Sequence, residues 1–365
     1  MPFTLPAYSP PDFSRPPLKD APLVRLAPVV QPGAAPDDYH ATSIFPEYYQ
    51  LEPGHWVLLA DSRMDCVVVL RPDGRLVVKE FRRLAVGERV VCGRRENGED
   101  GVFVHTGAFA EPEPVADKFA FRTRFTRETS FSIDYDELFE LLPHERDQGF
   151  ILWVVGPAAV FDHDARNALV ALIRRGYVQG LLAGNALAVH DLEAALYQTA
   201  LGREIYGKRL VHLGHYKHLD AINQVRRAGS MAQALATGLI SDGVMRALWE
   251  KGIPYVLAGS IRDDGPLPEV ITDVLAAQDA MRALTRRATT VIAVATQLHS
   301  IAAGNLIPGY HVLPAGQVRP VYFYVVDMDE FAAEKLTNRG SLAARGILTN
   351  AQDFLVILER GLAQR

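Results

Sequence analysis

Two kinds of hydrophobic pattern divide this chain. Between residues 41 and 109 the apolar runs are short, β-branched and separated by turn residues. The run CVVVL, the turn RPDG and the run RLVVKEF predict two strands joined at Asp73-Gly74. RVVCGRRENGEDGVFVHTGAF repeats that design, with Asn97-Gly98 and Asp100-Gly101 in its turn. The texture changes after about Asp117. From Asn167 onward, short apolar strands alternate with segments of helical periodicity.

In this second region Asp164 is expected to cap a helix that runs to Arg175 and is closed by Gly176. A strand over 178–182 and a helix over 186–201, ending at Gly202, follow. Helices fit 218–228 and 242–251, then a strand over 254–257 and a helix over 268–287. The strand 290–295 leads into a short helix. The strand 321–326, the helix 330–338, the strand 346–348 and the helix 351–362 complete the series. Alternation of this kind predicts an α/β fold. It would be a Rossmann-like, mostly parallel sheet with helices on both faces, plus a small β-rich N-terminal module. The expected domains are an arm over 1–40, the β module over 41–115 and a Rossmann-like region over 116–365. Ten of the 23 prolines fall in the first 36 residues, which suits an extended arm or a coat over another surface. AEPEPV, at 110–115, reads as a linker.

Composition narrows the function classes. Lys+Arg is 38 and Asp+Glu is 43, a net charge of −5, which argues against general nucleic-acid binding. The longest apolar stretches, about 150–161 and 288–295, are too short to cross a bilayer. The N-terminus lacks the pattern of a secretory signal. Two isolated cysteines, Cys66 and Cys92, are neither a disulfide framework nor a zinc site, so a reducing cytoplasm is expected.

Ligands of parallel sheets bind beyond the carboxyl ends of the strands. The strand 290–295 runs into Thr296-Gln297-Leu298-His299-Ser300 and a helix, whose free N–H groups would favour an anion. The strand 321–326 ends in Asp327, suited to a ribose diol and repelling a 2′-phosphate, which selects NAD over NADP. Thr349-Asn350-Ala351 follows the next strand. These three loops read as one dinucleotide half-site, although no G-x-G-x-x-G is present. Ordinary turns with Asp327 as a helix cap are the plainer alternative.

Other loops carry polar groups. Gly259-Ser260-Ile261-Arg262-Asp263-Asp264-Gly265 offers two carboxylates and an arginine for binding an amine or moving a proton. Asn185 and Ala186 follow Gly184 at another strand-to-helix turn, with His190 and Asp191 one turn on. His212, His215 and His218 form H-x-x-H-x-x-H, but Gly214 interrupts them and the spacing converges poorly on a metal. A substrate-facing His215 or Lys217 is the better reading, so no metal site is assigned. Gly202–Arg209 imitates a phosphate loop, but Arg209 replaces the Ser/Thr that would hold magnesium.

Several long segments resemble one family. They are LLAGNALAVHDLEAALYQTALG, GHYKHLDAINQVRRAGS, GIPYVLAGSIRDDGPLPEVITDVLAAQDAMR, ATQLHSIAAGNLIP and NRGSLAARGILTN. The chain resembles, over about 128–362, the archaeal-type ornithine cyclodeaminases with their conserved LOR/SDH region. It is similar there to the C-terminal half of cyanobacterial arginine dihydrolase/ornithine cyclodeaminase fusions. The resemblance implies NAD as cofactor and conversion of L-ornithine to L-proline and ammonia. It implies cofactor contacts at Asn185, Ala186, Asp264, Thr296, Gln297, Leu298, His299, Asp327, Asn350 and Ala351. It also implies a homodimer or homotetramer with a small amino-acid substrate, no nucleic acid and no membrane. Asp264, His215 and Lys217 are the catalytic candidates; Lys217 stands where the family usually has asparagine. An amino-acid or opine-type dehydrogenase and a non-catalytic NAD-sensing subunit are the rival readings.

Overall fold

The structure is a computed structural model that describes residues 3–109, 132–263, 265–314, 316–329 and 341–365. The expected linker 110–115, the expected helix 330–338 and Asp264 lie outside those residues.

The N-terminal part is built from antiparallel strands. They are β1 (Arg25–Pro28), β2 (Glu47–Glu52), β3 (His55–Leu58), β4 (Val67–Leu70), β5 (Leu76–Lys79), β6 (Arg89–Cys92) and β7 (Val102–Val104). One sheet has the order β1-β6-β4-β5 and another the order β3-β2-β7. The hairpin expected at Asp73-Gly74 forms between β4 and β5. The second expected hairpin does not form: β6 pairs with β1 and β4, and β7 pairs with β2. Gly93, Gly98 and Gly101 all have positive φ and turn the chain out of the first sheet. Gly101 then lies against the backbone of Pro22 to Val24, where a Cβ would meet Val24 N at 2.5 Å. The proline-rich stretch supplies β1 and the buried side chains of Leu18, Val24 and Val29.

The second part opens with α1 (Ser132–Gln148) and the strand β8 (Ile151–Val155), then α2 (His163–Arg174), β9 (Gly180–Gly184) and α3 (Asn185–Tyr197). A small hairpin of β10 (Thr199–Ala200) and β11 (Arg203–Glu204) precedes α4 (Lys217–Ala228), α5 (Met231–Ala236) and α6 (Val244–Lys251). Next come β12 (Tyr255–Ala258), α7 (Val274–Thr285), β13 (Thr290–Val294), α8 (Gln297–Leu306), β14 (Tyr310–Val312) and β15 (Val318–Pro320). The chain finishes with β16 (Tyr322–Asp327), β17 (Ala343–Leu348) and α9 (Ala351–Ala363).

Six of these strands form one parallel sheet, in the order β12-β9-β8-β13-β16-β17. Numbered by their occurrence in this sheet, that is 3-2-1-4-5-6, the Rossmann order. β8 (ILWVV) and β13 (TVIAV) are buried along their whole length, as continuous apolar runs in a doubly covered sheet must be. Trp153, Leu181 and Ile292 face one core with α2, α6 and α9. Leu152, Val154 and Val291 face the other, with α7 and α8. The apolar stretch at 150–161 therefore holds the central strand.

Three expected boundaries shift for local reasons. The cap of α2 is Asp162 rather than Asp164: its Oδ1 accepts from Asp164 N at 3.0 Å and Ala165 N at 3.2 Å. α3 stops at Tyr197, because Gln198 turns left-handed (φ 55°) and the chain enters the β10–β11 hairpin instead of continuing to 201. The helix expected from 268 starts at Val274. Before it, Ile271 is bonded to β12 through Ile271 N to Leu257 O and Gly259 N to Ile271 O, each 2.9 Å.

Candidate functional site

The carboxyl ends of the six parallel strands lie along one edge of the sheet, and the direction of strand order reverses between β8 and β13. That reversal is where a crevice opens. The backbones there are in tight contact. Gly156, directly after β8, donates from its N–H to Val294 O at 2.8 Å. A Cβ on Gly156 would fall 1.9 Å from the Ala295 carbonyl oxygen. Ala295 itself sits at φ 52°, unusual for a residue with a side chain. Sequence reasoning missed Gly156; the signal was a glycine directly after ILWVV, inside the apolar stretch 150–161.

Thr296 is the N-cap of α8, yet its side chain does not cap that helix, and among the described residues no other side chain does. Its first-turn N–H groups at Gln297 and Leu298 are thus available to an anion, with the helix dipole behind them. α9 differs: the Asn350 side chain accepts from Gln352 N at 2.8 Å and closes the helix end itself. Asp327 ends β16 half-buried. Its Oδ1 accepts from Asp329 N at 3.1 Å, and its backbone carbonyl accepts from Thr349 N at 3.2 Å. Gln297 reaches over to Asp329 at 3.4 Å, so the loops after β13 and β16 touch.

His299, one turn into α8, crosses to the other half of the sheet. A Cβ on Gly184 would lie 2.9 Å from its Cε1. Its ring donates to the Ala258 carbonyl at the end of β12, and Nδ1 lies 3.3 Å from Thr296 Oγ1. Burial lowers the pKa of this imidazole, against the opposing pull of the Ala258 carbonyl. A neutral ring with Nε2–H toward Ala258 fits those contacts. Asn185 begins α3 beside it, and its Oδ1 accepts from Leu267 N at 3.1 Å. That bond ties the loop after β9 to the loop after β12 and leaves the amide NH2 to donate elsewhere.

The rest of the AGNALAVHD motif is structural. Asp191 is fully buried, pairs with Arg166 at 2.7 Å and accepts from Val244 N and Met245 N, which caps α6. His190 lies 2.9 Å from the buried Glu193.

Residues 185–243 build a lobe over this edge. α3 packs on the 3-10 turn Pro157–Val160 that follows β8, and α4 packs on α3. Lys208 reaches the Phe161 carbonyl at 2.9 Å and Asp162 at 3.0 Å. At the opposite side Arg226 donates to the Pro266 carbonyl at 2.7 Å, and Glu269 accepts from Met231 N. The lobe thus bridges the exits of β8 and β12. It carries His215, whose ring lies 4.3 Å from that of Tyr216, and Lys217, whose ammonium lies 4.7 Å from the Tyr197 ring centroid. Among the described residues, no hydrogen bond, ion pair or ring contact joins His215 or Lys217 to the strand-end loops. His218 instead faces His190, with ring centroids 6.3 Å apart, so His215 and His218 meet different neighbours.

The structure therefore brings Asn185, Ala186, Thr296 to His299, Asp327, Asn350 and Ala351 to one sheet edge. Asp263, the neighbour of Asp264, accepts from Ser260 N at 2.8 Å in the loop after β12.

Comparison with known proteins adds the following. A family model described as "Arginine dihydrolase ArgZ-like, C-terminal, Rossmann fold" matches residues 137–358. An ornithine cyclodeaminase of Methanopyrus kandleri is 38% identical over 349 residues, covering 93% of this chain and 78% of that protein. A LOR/SDH protein of Methanococcus maripaludis S2 has a similar solved structure. Its TM-score is 0.83 at 33% identity, with 94% of this chain and 99% of that chain covered. The ternary complex of AgrE with ornithine and NAD+ is also similar, with a TM-score of 0.57 at 33% identity. There the match spans 95% of this chain and 46% of the other.

Proposed function

This chain belongs to the ornithine cyclodeaminase family that carries the ArgZ-like C-terminal Rossmann fold, and from that premise we propose that it converts L-ornithine to L-proline and ammonia with NAD. The observation that carries the cofactor is the pairing of two features on one sheet edge. Among the described residues no side chain caps the α8 N-terminus, and a carboxylate, Asp327, stands at the end of the neighbouring parallel strand. The pyrophosphate would take the N–H groups of Gln297 and Leu298, and Asp327 the adenosine ribose diol. The similar AgrE complex, with ornithine and NAD+ together, supports the same pairing of ligands.

The dinucleotide would then run from Asp327 past the Gly156–Ala295 contact toward Asn185. The amide NH2 of Asn185 and the loop after β12 would hold its far end. Bound there, NAD supplies a reversible hydride acceptor, so the cofactor is regenerated and NADH does not accumulate. The remaining work falls to the chain. Asp264 takes the proton that leaves the substrate's α-ammonium, since amine chemistry needs the neutral form. His215 and Lys217 act from the lobe, in proton transfer or in holding the carboxylate. The protein would work in the cytoplasm as a homodimer or homotetramer, in proline formation.

The test is mass spectrometry of products from purified protein and L-ornithine, with and without added NAD, with bound nucleotide measured on the same sample. Proline and ammonium without lasting NADH establish the reading. Lasting NADH with a 2-oxo acid or imine product would make it a dehydrogenase. Bound nucleotide with no product at all would make it a sensor.

A further inference from the structure

The lobe concentrates exposed apolar side chains. Leu201, Tyr206, Leu210, Leu213, Tyr216 and Leu219 are each exposed by half or more, and Tyr206 and Leu210 reach 77% and 78%. They belong to one unit. After β11 the chain returns along the hairpin: Glu204 N donates to Arg209 O at 2.9 Å, and Val211 N to Gly202 O at 3.1 Å. Gly214 then abuts Gly202, where a Cβ would lie 2.6 Å from the Gly202 Cα, so the segments of Leu201 and Leu213 come together. Tyr216 follows in the 3-10 turn before α4, and Leu219 in the first turn of α4.

The backbone is strained where two of these leucines sit. Leu201 and Leu213 hold φ at 53° and 55°, a left-handed conformation suited to Gly or Asn and costly for a bulky side chain. Both positions thus combine strain with apolar surface in water, and among the described residues nothing covers them. Size and charge indicate the occupant. Six such side chains present an apolar patch of roughly 600 Å², at the top of the range for a typical monomer. It approaches the share of about 800 Å² that each partner brings to a standard interface. The charges within it are matched. Lys208 is engaged with Asp162 and two backbone carbonyls. Arg209 pairs with Glu204 at 3.2 Å, and both are exposed. A face with tyrosines, leucines and one exposed ion pair is self-complementary. Under a two-fold axis Arg209 of one copy can exchange partners with Glu204 of the other, while apolar surface meets apolar surface.

We propose that this face of the lobe, from the β10–β11 hairpin to the start of α4, is a two-fold contact between copies of this chain. The proposal rests on the homo-oligomer reading above and deepens it by naming the surface.

Sedimentation velocity of the full chain over a range of micromolar concentrations tests it. The wild type should sediment as a dimer or tetramer. Leu210→Glu should halve that mass or raise the dissociation constant by about tenfold or more, as a charge placed in an interface core does. Tyr206→Glu should act likewise. Val30→Glu, at a residue 83% exposed outside the lobe, should leave the mass unchanged. Leu213→Gly should also weaken association, while the melting temperature of the dissociated chain holds or rises, because glycine relieves the left-handed backbone. NAD binding by each variant reports an intact fold. A wild-type mass kept by both Leu210→Glu and Tyr206→Glu would overturn the proposal and leave the oligomer reading standing. Equal dissociation by Val30→Glu would also overturn it, by removing its specificity to the lobe. A monomeric wild type at every concentration would overturn both the proposal and the oligomer reading.

Discussion

Gly156 and Ala295 share a space that admits no side chain: a Cβ on residue 156 would lie 1.9 Å from the Ala295 carbonyl oxygen. The contact joins the exit of the first strand of the sheet to that of the fourth, and holds the switch point narrow. The obstacle is backbone rather than a flexible side chain, so relief requires the two strand exits to separate. Gly156→Ala should cost about 2 kcal/mol or more in stability. It should also weaken NAD binding. Denaturant unfolding and a nucleotide titration of the variant would measure both, and a variant as stable as the wild type would show the edge to be softer than the contact implies.

Asp327 should set the nucleotide preference. Asp327→Asn removes the charge that repels a 2′-phosphate and weakens the diol contact. NAD affinity should fall by about tenfold, on the scale of one charged hydrogen bond, while NADP affinity rises. Dissociation constants for both nucleotides provide the check.

Asp264→Asn should abolish proline formation while nucleotide binding and thermal stability persist, if this carboxylate takes the substrate's proton. Product analysis of the variant by mass spectrometry decides it. Full activity would move the proton acceptor elsewhere, with His215 the next candidate.

Two partly buried histidines should make the fold acid-sensitive. Burial lowers the pKa of both His299 and His311, and each donates to a carbonyl, of Ala258 and Ala288 respectively. The unfolded chain therefore holds more protons than the folded one between the lowered pKa values and about 6.5. Stability contributed by these rings is present above about pH 6.5 and is lost as the pH falls through their folded pKa values. Melting temperature should drop between about pH 7 and pH 5, and His311→Gln should flatten part of that slope.

Asp191 should be among the costliest side chains in the motif that contains it. It is fully buried with Arg166 and caps α6 through two backbone N–H groups. Asp191→Ala removes the buried countercharge and leaves Arg166 the partly exposed Asp242 at 3.0 Å and the residue-191 backbone carbonyl at 3.2 Å. The loss should be about 3–5 kcal/mol. Denaturant unfolding of the variant would show it, and a small effect would mean that water reaches the site.

The sequence by itself determined the elements and their class. Continuous apolar runs such as TVIAV can be buried only in a sheet covered on both faces, and their alternation with amphipathic helices requires parallel crossovers. The polar residues that end those runs, Thr296, Asp327 and Asn350, were legible for the same reason: a strand's last residues must emerge at the ligand edge. The segments AGNALAVHD and AGSIRDDGPLP pointed to the family. What only the tertiary structure decided was which groups are free to act. Asn350 spends its side chain on its own helix and Asp191 on another, whereas among the described residues no side chain caps α8. The β6–β7 pairing failed for a similar reason: β2 and β4 were the better partners, and they come from elsewhere in the chain. Strand order and the Gly156–Ala295 contact both depend on residues distant in sequence, whose distances are fixed only when the sheet closes.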